Sequence, residues 1–417
     1  MYRKTVLDNG IKVISEQIDH VRSVSIGVWV RCGSRCENEE ISGTAHFIEH
    51  MLFKGTERRS AFDIASEIDS VGGIMNAFTG KELTAFYVKV PDYHLSLSID
   101  LLADIFTHSL FDPQEVEKEK SVVQQEIHMV EDTPDEYIHD FFEKIFWDRH
   151  PLGLPVLGSK GSVQGLTRGK LLEFFGRHYR GERLVVTAAG RLAHEELVDR
   201  VRDTFGVMEG FHDGTAETMP VPAGGRACLE RDLGQTHLII GTPAPSSADP
   251  RRFAGILMNA ILGGSMSSRL FQEIRERRGL AYAIRSYIVS YRDTGMLNIY
   301  VGTSQERVSD VIGLILDELG RMKEEYLTDR EMQLARELVK GNLLLGLEST
   351  DNRMSKLATN EIYFGRHVSY DEIVRRVDAV RREEIRSLAE RMFDASTMSL
   401  AALGNVSEKD LEGVPRT

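Results

Sequence analysis

The side chains with the clearest chemical capacity fall in one run, Gly43-Thr44-Ala45-His46-Phe47-Ile48-Glu49-His50-Met51-Leu52-Phe53-Lys54-Gly55. Written as a helix with Thr44 as N-cap and Gly55 as C-terminal stop, it puts His46, Glu49 and His50 within one arc of about 100°. Phe47, Ile48, Met51 and Leu52 cover the rest of the circumference, and a helix apolar on nearly every side is a buried one. Two imidazoles and a carboxylate on its only polar strip need a partner, since unpaired burial costs on the order of several kcal/mol. Zinc held by two histidines four positions apart suits this geometry. The bland alternative is a satisfied structural histidine pair. With 13 histidines in 417 residues, H-x-x-E-H arises by chance in roughly a few per cent of such chains, so a third ligand has to decide.

A second helix offers one. Asp112-Pro113-Gln114-Glu115 is a strong helix start, with Asp at the N-cap, Pro at the first helical position and Glu two further on. The helix runs to about Val130, before Thr133-Pro134 stops it. Its apolar stripe is Val116, Val123, Ile127 and Val130, and Glu119 and Glu126, two turns apart, share a face at the edge of that stripe. Glu115 and Glu117 need no such explanation, because they complement the positive N-terminal end. Of Glu119 and Glu126, one could complete a His-His-Glu zinc site whose fourth position is left to water, and the other could orient a ligand from behind. Spacing alone does not say which. Cys32 and Cys36 could hold a metal in principle, but without nearby partners they read as strand-end residues.

The chain that must position these groups is long enough for two or three domains. Its 41% hydrophobic and 28% charged residues are those of a soluble globular protein. A formal charge of −13 argues against nucleic acid and leans toward basic peptides as partners. No apolar run reaches membrane-spanning length, the N-terminus moves straight into strand-like alternation, and three cysteines make no disulfide framework, so a cytoplasmic protein is expected.

The chain also repeats itself. The strand-like run Ser23–Val30 matches the one ending at Gly241, with Gly27 opposite Gly241, and the run ending at Gly190 matches one ending at Gly404, both at an offset of 214 residues. Equal offsets indicate two halves with one common fold: residues 1–209, a linker over 210–225 rich in Gly and Pro, and residues 226–417. Each half reads as strands, helices, a hairpin, long helices and a closing strand. That implies α+β, two homologous halves each with a mainly antiparallel sheet and helices packed on one face. The run Arg252–Leu262, which should stand where the first helix stands, contains no His, Asp or Glu, so the fold is duplicated and the metal site is not.

The whole chain resembles the inverted zinc peptidases of the pitrilysin–insulinase family, in the branch of mitochondrial processing peptidase and its bacterial relatives. The likeness is carried by His46 to Thr56, Asn76-Ala77-Phe78-Thr79, Glu119 to Glu126, His150-Pro151-Leu152-Gly153 and Arg277-Arg278-Gly279-Leu280-Ala281-Tyr282. In that family the distal ligand is a Glu about 76 residues after the second His, which makes Glu126 the ligand and Glu119 the acid behind the site. The resemblance implies a zinc endopeptidase with one Zn2+ on His46, His50 and Glu126. Glu49 would be the base that takes a proton from water and passes it to the leaving amine. It implies an edge strand at Asn76, Ala77 and Phe78 that binds extended peptides. It also makes Arg275 and Tyr282 of the second half a pair reaching the substrate when two halves close as a clamshell, so residues 1–209 alone should bind zinc without activity. A homodimer would fit related bacterial chains, and a noncatalytic scaffold sharing the fold is the alternative. The chain departs from the pattern after Tyr179, where Arg180-Gly181-Glu182-Arg183 replaces the usual Pro and Asn, which bears on a turn and not on the chemistry.

Overall fold

Strand-like alternation in the sequence becomes two mixed sheets in a computed structural model that describes residues 1–210 and 218–411. Of the expected linker 210–225, residues 211–217, Gly214 among them, lie outside the described residues. The first sheet contains β1 (Tyr2–Val6), β2 (Lys12–Gln17), β3 (Ser23–Val30), β4 (Ile74–Thr79), β5 (Thr84–Pro91) and β6 (Leu184–Gly190), in the order β1-β2-β6-β3-β5-β4. The second contains β7 (Gly225–Glu230), β8 (Thr236–Pro243), β9 (Ala281–Ser290), β10 (Gly295–Thr303) and β11 (Ser399–Gly404), in the order β7-β11-β8-β10-β9. Apart from β1 the two orders correspond strand for strand. Each sheet has a single parallel pairing, β2 with β6 and β7 with β11; every other neighbour is antiparallel. Even the closing glycines agree, since Gly190 and Gly404 both have φ of 138°. A Cβ on either would run into the neighbouring strand, 2.3 Å from Ser23 O at Gly190 and 2.8 Å from Gln235 O at Gly404.

The chain divides into two compact units, and they are not the two chain halves. The first unit takes Met1–Met129, Leu154–Glu217 and Gly346–His367; the second takes Val130–Gly153, Thr218–Leu345 and Val368–Thr417. In the first, α1 (Thr44–Leu52), α2 (Ala61–Ser70) and α3 (Leu95–Thr107) join a core with Ile26, Val28, Phe86 and Val88 of the sheet. The α4 helix (Pro113–Glu131) adds Val116, Val123 and Ile127 to it. The opposite sheet face presents Ile14, Trp29, Val185 and Ala189, and helix Thr350–Phe364, from the second half of the sequence, covers it with Met354, Leu357 and Ala358. Charge pins that helix in place: Lys4 and Lys12 meet the buried Glu361 at 2.7 and 2.9 Å.

The second unit mirrors the exchange. Its sheet takes α5 (Pro134–Trp147), from the first half, whose Ile138, Phe142, Phe146 and Trp147 pack with Ile239, Met296, Ala401 and Leu403. A helix stripe shows that a face is buried, but not against which sheet, so periodicity did not reveal the exchange. This alters what a fragment should do. Residues 1–209 alone lack helix Thr350–Phe364 and bare Trp29 and its apolar neighbours. The fragment is expected to aggregate, and supplying residues 346–367 on a linker is expected to restore a monodisperse species in size-exclusion chromatography. A stable, well-folded 1–209 would show the exchanged helix to be dispensable.

Candidate active site

The helix with the two histidines does not begin as its sequence suggests. Gly43, at φ 93°, is the N-cap and offers no side chain, while Thr44 is the first helical residue and donates its hydroxyl to Ile41 O at 2.6 Å. A Cβ at Gly43 would lie 2.7 Å from Leu157 O, so the position needs glycine both for its backbone angle and for space. The missing cap comes from Glu37. Its Oε2 accepts from Gly43 N at 2.8 Å and its Oε1 from Ala45 N at 2.6 Å, satisfying backbone donors that a helix start leaves open. Glu37 is 3% exposed, and burial raises its pKa to about 8 against the pull of those two amides. Sequence reasoning missed Glu37, because its role depends on a turn visible only in three dimensions.

Downstream of that cap, α1 buries Phe47, Ile48, Met51 and Leu52 and turns its polar strip toward α4. His46 Nε2 lies 3.7 Å and His50 Nε2 3.6 Å from Glu126 Oε2. Ligands of one tetrahedral zinc, each at ~2.0–2.1 Å, stand about 3.3 Å apart; both histidine–Glu126 separations come within a few tenths of an ångström of that spacing, and the three ligand atoms all lie within 4.8 Å of one another. Burial and the neighbouring His50 depress His46 to about 3, leaving it neutral with a lone pair to give. Its Nδ1 is buried without a hydrogen-bond partner among the described residues.

Glu119 stands behind His50. Its Oε1 is 2.7 Å from His50 Nδ1 and its Oε2 is 2.5 Å from Lys54 Nζ. Burial pushes the Glu119 carboxyl up, but His50 and Lys54 outweigh it and hold it below the usual range. A carboxylate on Nδ1 fixes the proton there and turns the Nε2 lone pair toward Glu126. Burial lowers His50, while its bond to Glu119 and the charge of Glu126 raise it overall; a bound dication would reverse that balance. Lys54, which completes the pairing, lies four residues after His50, a spacing that marks it as a neighbour in hindsight.

Glu49 shares the strip without joining the three. Thr79 Oγ1 donates to its Oε2 at 2.6 Å, and burial raises its pKa against that bond. Thr79 closes β4, an edge strand that among the described residues pairs only with β5. Along β4 the side chains alternate. Met75 and Ala77 pack toward the core that holds α1, while Phe78 turns away to meet the rings of Trp29 and Tyr87. Asn76 Oδ1 accepts from Ala77 N at 2.8 Å, so a strand added at this edge has to compete with the chain's own side chain for that donor. Arg275 and Tyr282 lie in the second unit, with the guanidinium 5.0 Å from the Tyr282 ring centre and Tyr282 77% exposed.

Comparison with known proteins gives the family. The model of the insulinase family, peptidase family M16, matches residues 12–160, and that of the peptidase M16 inactive domain matches residues 165–339. An uncharacterized zinc protease of Bacillus subtilis is 39% identical over 408 residues, covering 97% of this chain and 100% of that one. The chain belongs to peptidase family M16. An uncharacterized zinc protease of Streptomyces coelicolor is 38% identical, across 98% of this chain and 90% of its own. Among solved structures, a protease from Helicobacter pylori aligns with a TM-score of 0.89 at 19% identity, covering 97% of this chain and 99% of that one. A peptidase M16 inactive domain from Pseudomonas fluorescens aligns equally well, at 18% identity; these two likenesses speak to the fold. The family's description of an inactive second domain suits helix Arg252–Leu262, which follows β8 as α1 follows β3 and carries no ligand-type acid or histidine. No helix among the described residues is long and apolar enough to cross a membrane.

Proposed function

We propose that the chain is a zinc-dependent endopeptidase that hydrolyses extended peptides, with one zinc ion on His46, His50 and Glu126. The observation that carries this is the convergence of both Nε2 atoms on Glu126 Oε2 while Glu119 occupies His50 Nδ1. When bound, the ion supplies a Lewis acid for the scissile carbonyl and an acidified water. Glu49, close by but outside the three-ligand set, takes the proton from the attacking water and returns it to the leaving amine. A carboxyl whose pKa is raised by burial is suited to both steps. Glu119 acts as a positioning residue. The β4 edge at Asn76, Ala77 and Phe78 pairs with the substrate backbone, and Arg275 and Tyr282 are assigned to the substrate and its developing oxyanion. Basic, unstructured segments are the favoured substrates on net charge.

Mass spectrometry of products from a mixed peptide library, with and without a chelator, tests the reading. Zinc-dependent internal cleavage supports it; no cleavage by zinc-loaded protein refutes it. Thr79 supplies a finer test. Thr79→Val removes the hydroxyl that steers Glu49 and is expected to lower kcat about tenfold with KM nearly unchanged, because a hydrogen bond to a carboxylate is worth about 1.5 kcal/mol. Thr79→Ser should recover most of the rate, and a Val variant as fast as wild type would remove Thr79 from the machinery.

A further inference from the structure

One cluster of nucleophilic side chains has no part in this site. Cys32, just past β3, and Cys36, in the turn Ser34–Cys36, meet His178 at the end of helix Arg168–His178. The two sulfurs and a ring nitrogen lie within 4.8 Å of one another, and the cysteines form no disulfide. Such a trio could hold a metal or react as thiols, and Arg183 decides between these. Its Nη1 is 3.1 Å from His178 Nδ1. A guanidinium can only donate, so Nδ1 accepts and its lone pair is committed. The other ring nitrogen of the neutral imidazole then carries the proton, which leaves no lone pair for a metal. A fixed positive charge beside the pocket opposes a cation; it also pulls the Cys32 thiol down, though burial and the neighbouring Cys36 outweigh it and hold Cys32 as the thiol. Cys32 is buried and Cys36 half-buried, so Cys36 meets a reagent first and Cys32 waits behind it.

The turn between them is clamped on both sides. Ser34 N and Arg35 N donate to Gly80 O and Lys81 O at 3.1 and 2.7 Å, and Arg35 pairs with Glu82 at 2.7 Å. At Gly33 a Cβ would lie 2.1 Å from Gly80 O. Directly after Cys36 comes Glu37, the cap of α1. Glu37 N donates to Ser34 O at 3.1 Å within the same turn, so a movement of Cys36 toward Cys32 acts directly on Glu37.

We propose that Cys32 and Cys36 are an oxidisable pair that closes to a disulfide with hydrogen peroxide as oxidant, and that closure withdraws Glu37 from the start of α1. The Cys36 thiolate attacks the peroxide O–O bond; its sulfur takes one oxygen as sulfenic acid and the other oxygen leaves as water. The Cys32 sulfur then displaces the sulfenic oxygen as a second water, so the protein loses two protons and two electrons, together two hydrogen atoms, and the hydrogen peroxide is reduced to two waters. A thiol reductant reverses the bond by exchange.

The test uses the full chain treated with hydrogen peroxide. A loss of about 2 Da is expected, reversed by dithiothreitol and abolished in Cys36→Ser. Trypsin cuts after Arg35, so Cys32 and Cys36 leave on separate peptides that only the disulfide can join. Amide hydrogen exchange across residues 38–47 is expected to quicken about tenfold on oxidation, as the Gly43 and Ala45 donors lose their acceptor. Gain of oxygen at Cys36 without the linked peptides overturns the pairing, as does a cobalt–thiolate absorbance that vanishes in Cys36→Ser. Unchanged exchange in the oxidised protein overturns the link to Glu37. Zinc affinity is a separate readout resting on the proposed function, so its failure leaves the mass and exchange results standing.

Discussion

Glu49→Gln is expected to leave zinc bound and to lower kcat by about 10²–10⁴, the usual contribution of a positioned acid–base group. The size of the effect follows from where the carboxylate sits. It shares the polar strip of α1 with both histidines, yet its Oε2 is taken up by Thr79 at 2.6 Å and among the described residues it belongs to no three-ligand group. The amide side chain keeps the volume and can still accept from Thr79, so the helix and its histidines have no reason to move. What it loses is the capacity to hold a proton between the attacking water and the leaving amine. Zinc content by atomic emission and steady-state cleavage of one peptide check the two halves of the expectation together. Undiminished cleavage would remove Glu49 as the base; loss of zinc with loss of rate would show that Glu49 is needed to hold the metal.

The parts of this site that the sequence disclosed are those fixed by local periodicity. Three polar side chains on one strip of an otherwise apolar helix require only the helical repeat, and α1 does bury Phe47, Ile48, Met51 and Leu52. Likewise Asp112 accepts from Gln114 N and Glu115 N, so α4 starts where its sequence says. The repeated fold was legible from two equal offsets, and the two strand orders agree with it. Whatever depended on distant partners was not legible. Thr44 looks like an N-cap, but Gly43 takes that place and Glu37 does the capping. Helix Thr350–Phe364 has a good apolar stripe, yet nothing in it tells which sheet face it meets. Cys32 and Cys36 read as strand-end residues, because His178 and Arg183 reach them only through the fold.

The division of labour between Glu119 and Glu126 is where sequence spacing fell silent, and removing each in turn should separate them. Glu126 is the only member of the metal cluster that comes from outside α1, and its Oε2 lies nearly equidistant from the two Nε2 atoms. Glu126→Ala leaves two histidines on one helix, too few for a catalytic zinc site, and is expected to strip the metal and all activity. Glu119 touches no Nε2 atom. It holds His50 Nδ1 at 2.7 Å and is itself held by Lys54, so its removal should loosen the ligand without deleting it. Glu119→Gln keeps an acceptor for Nδ1 but gives up the charge, and an outer-shell loss of that kind weakens metal affinity about 10–100-fold. At saturating zinc the Glu119→Gln protein should therefore regain measurable turnover, whereas the Glu126→Ala protein should not. Isothermal titration with zinc, paired with activity at high zinc, reads both variants. A larger affinity loss from the Glu119 change than from the Glu126 change would exchange their roles, and with them the face of His50 that meets the metal.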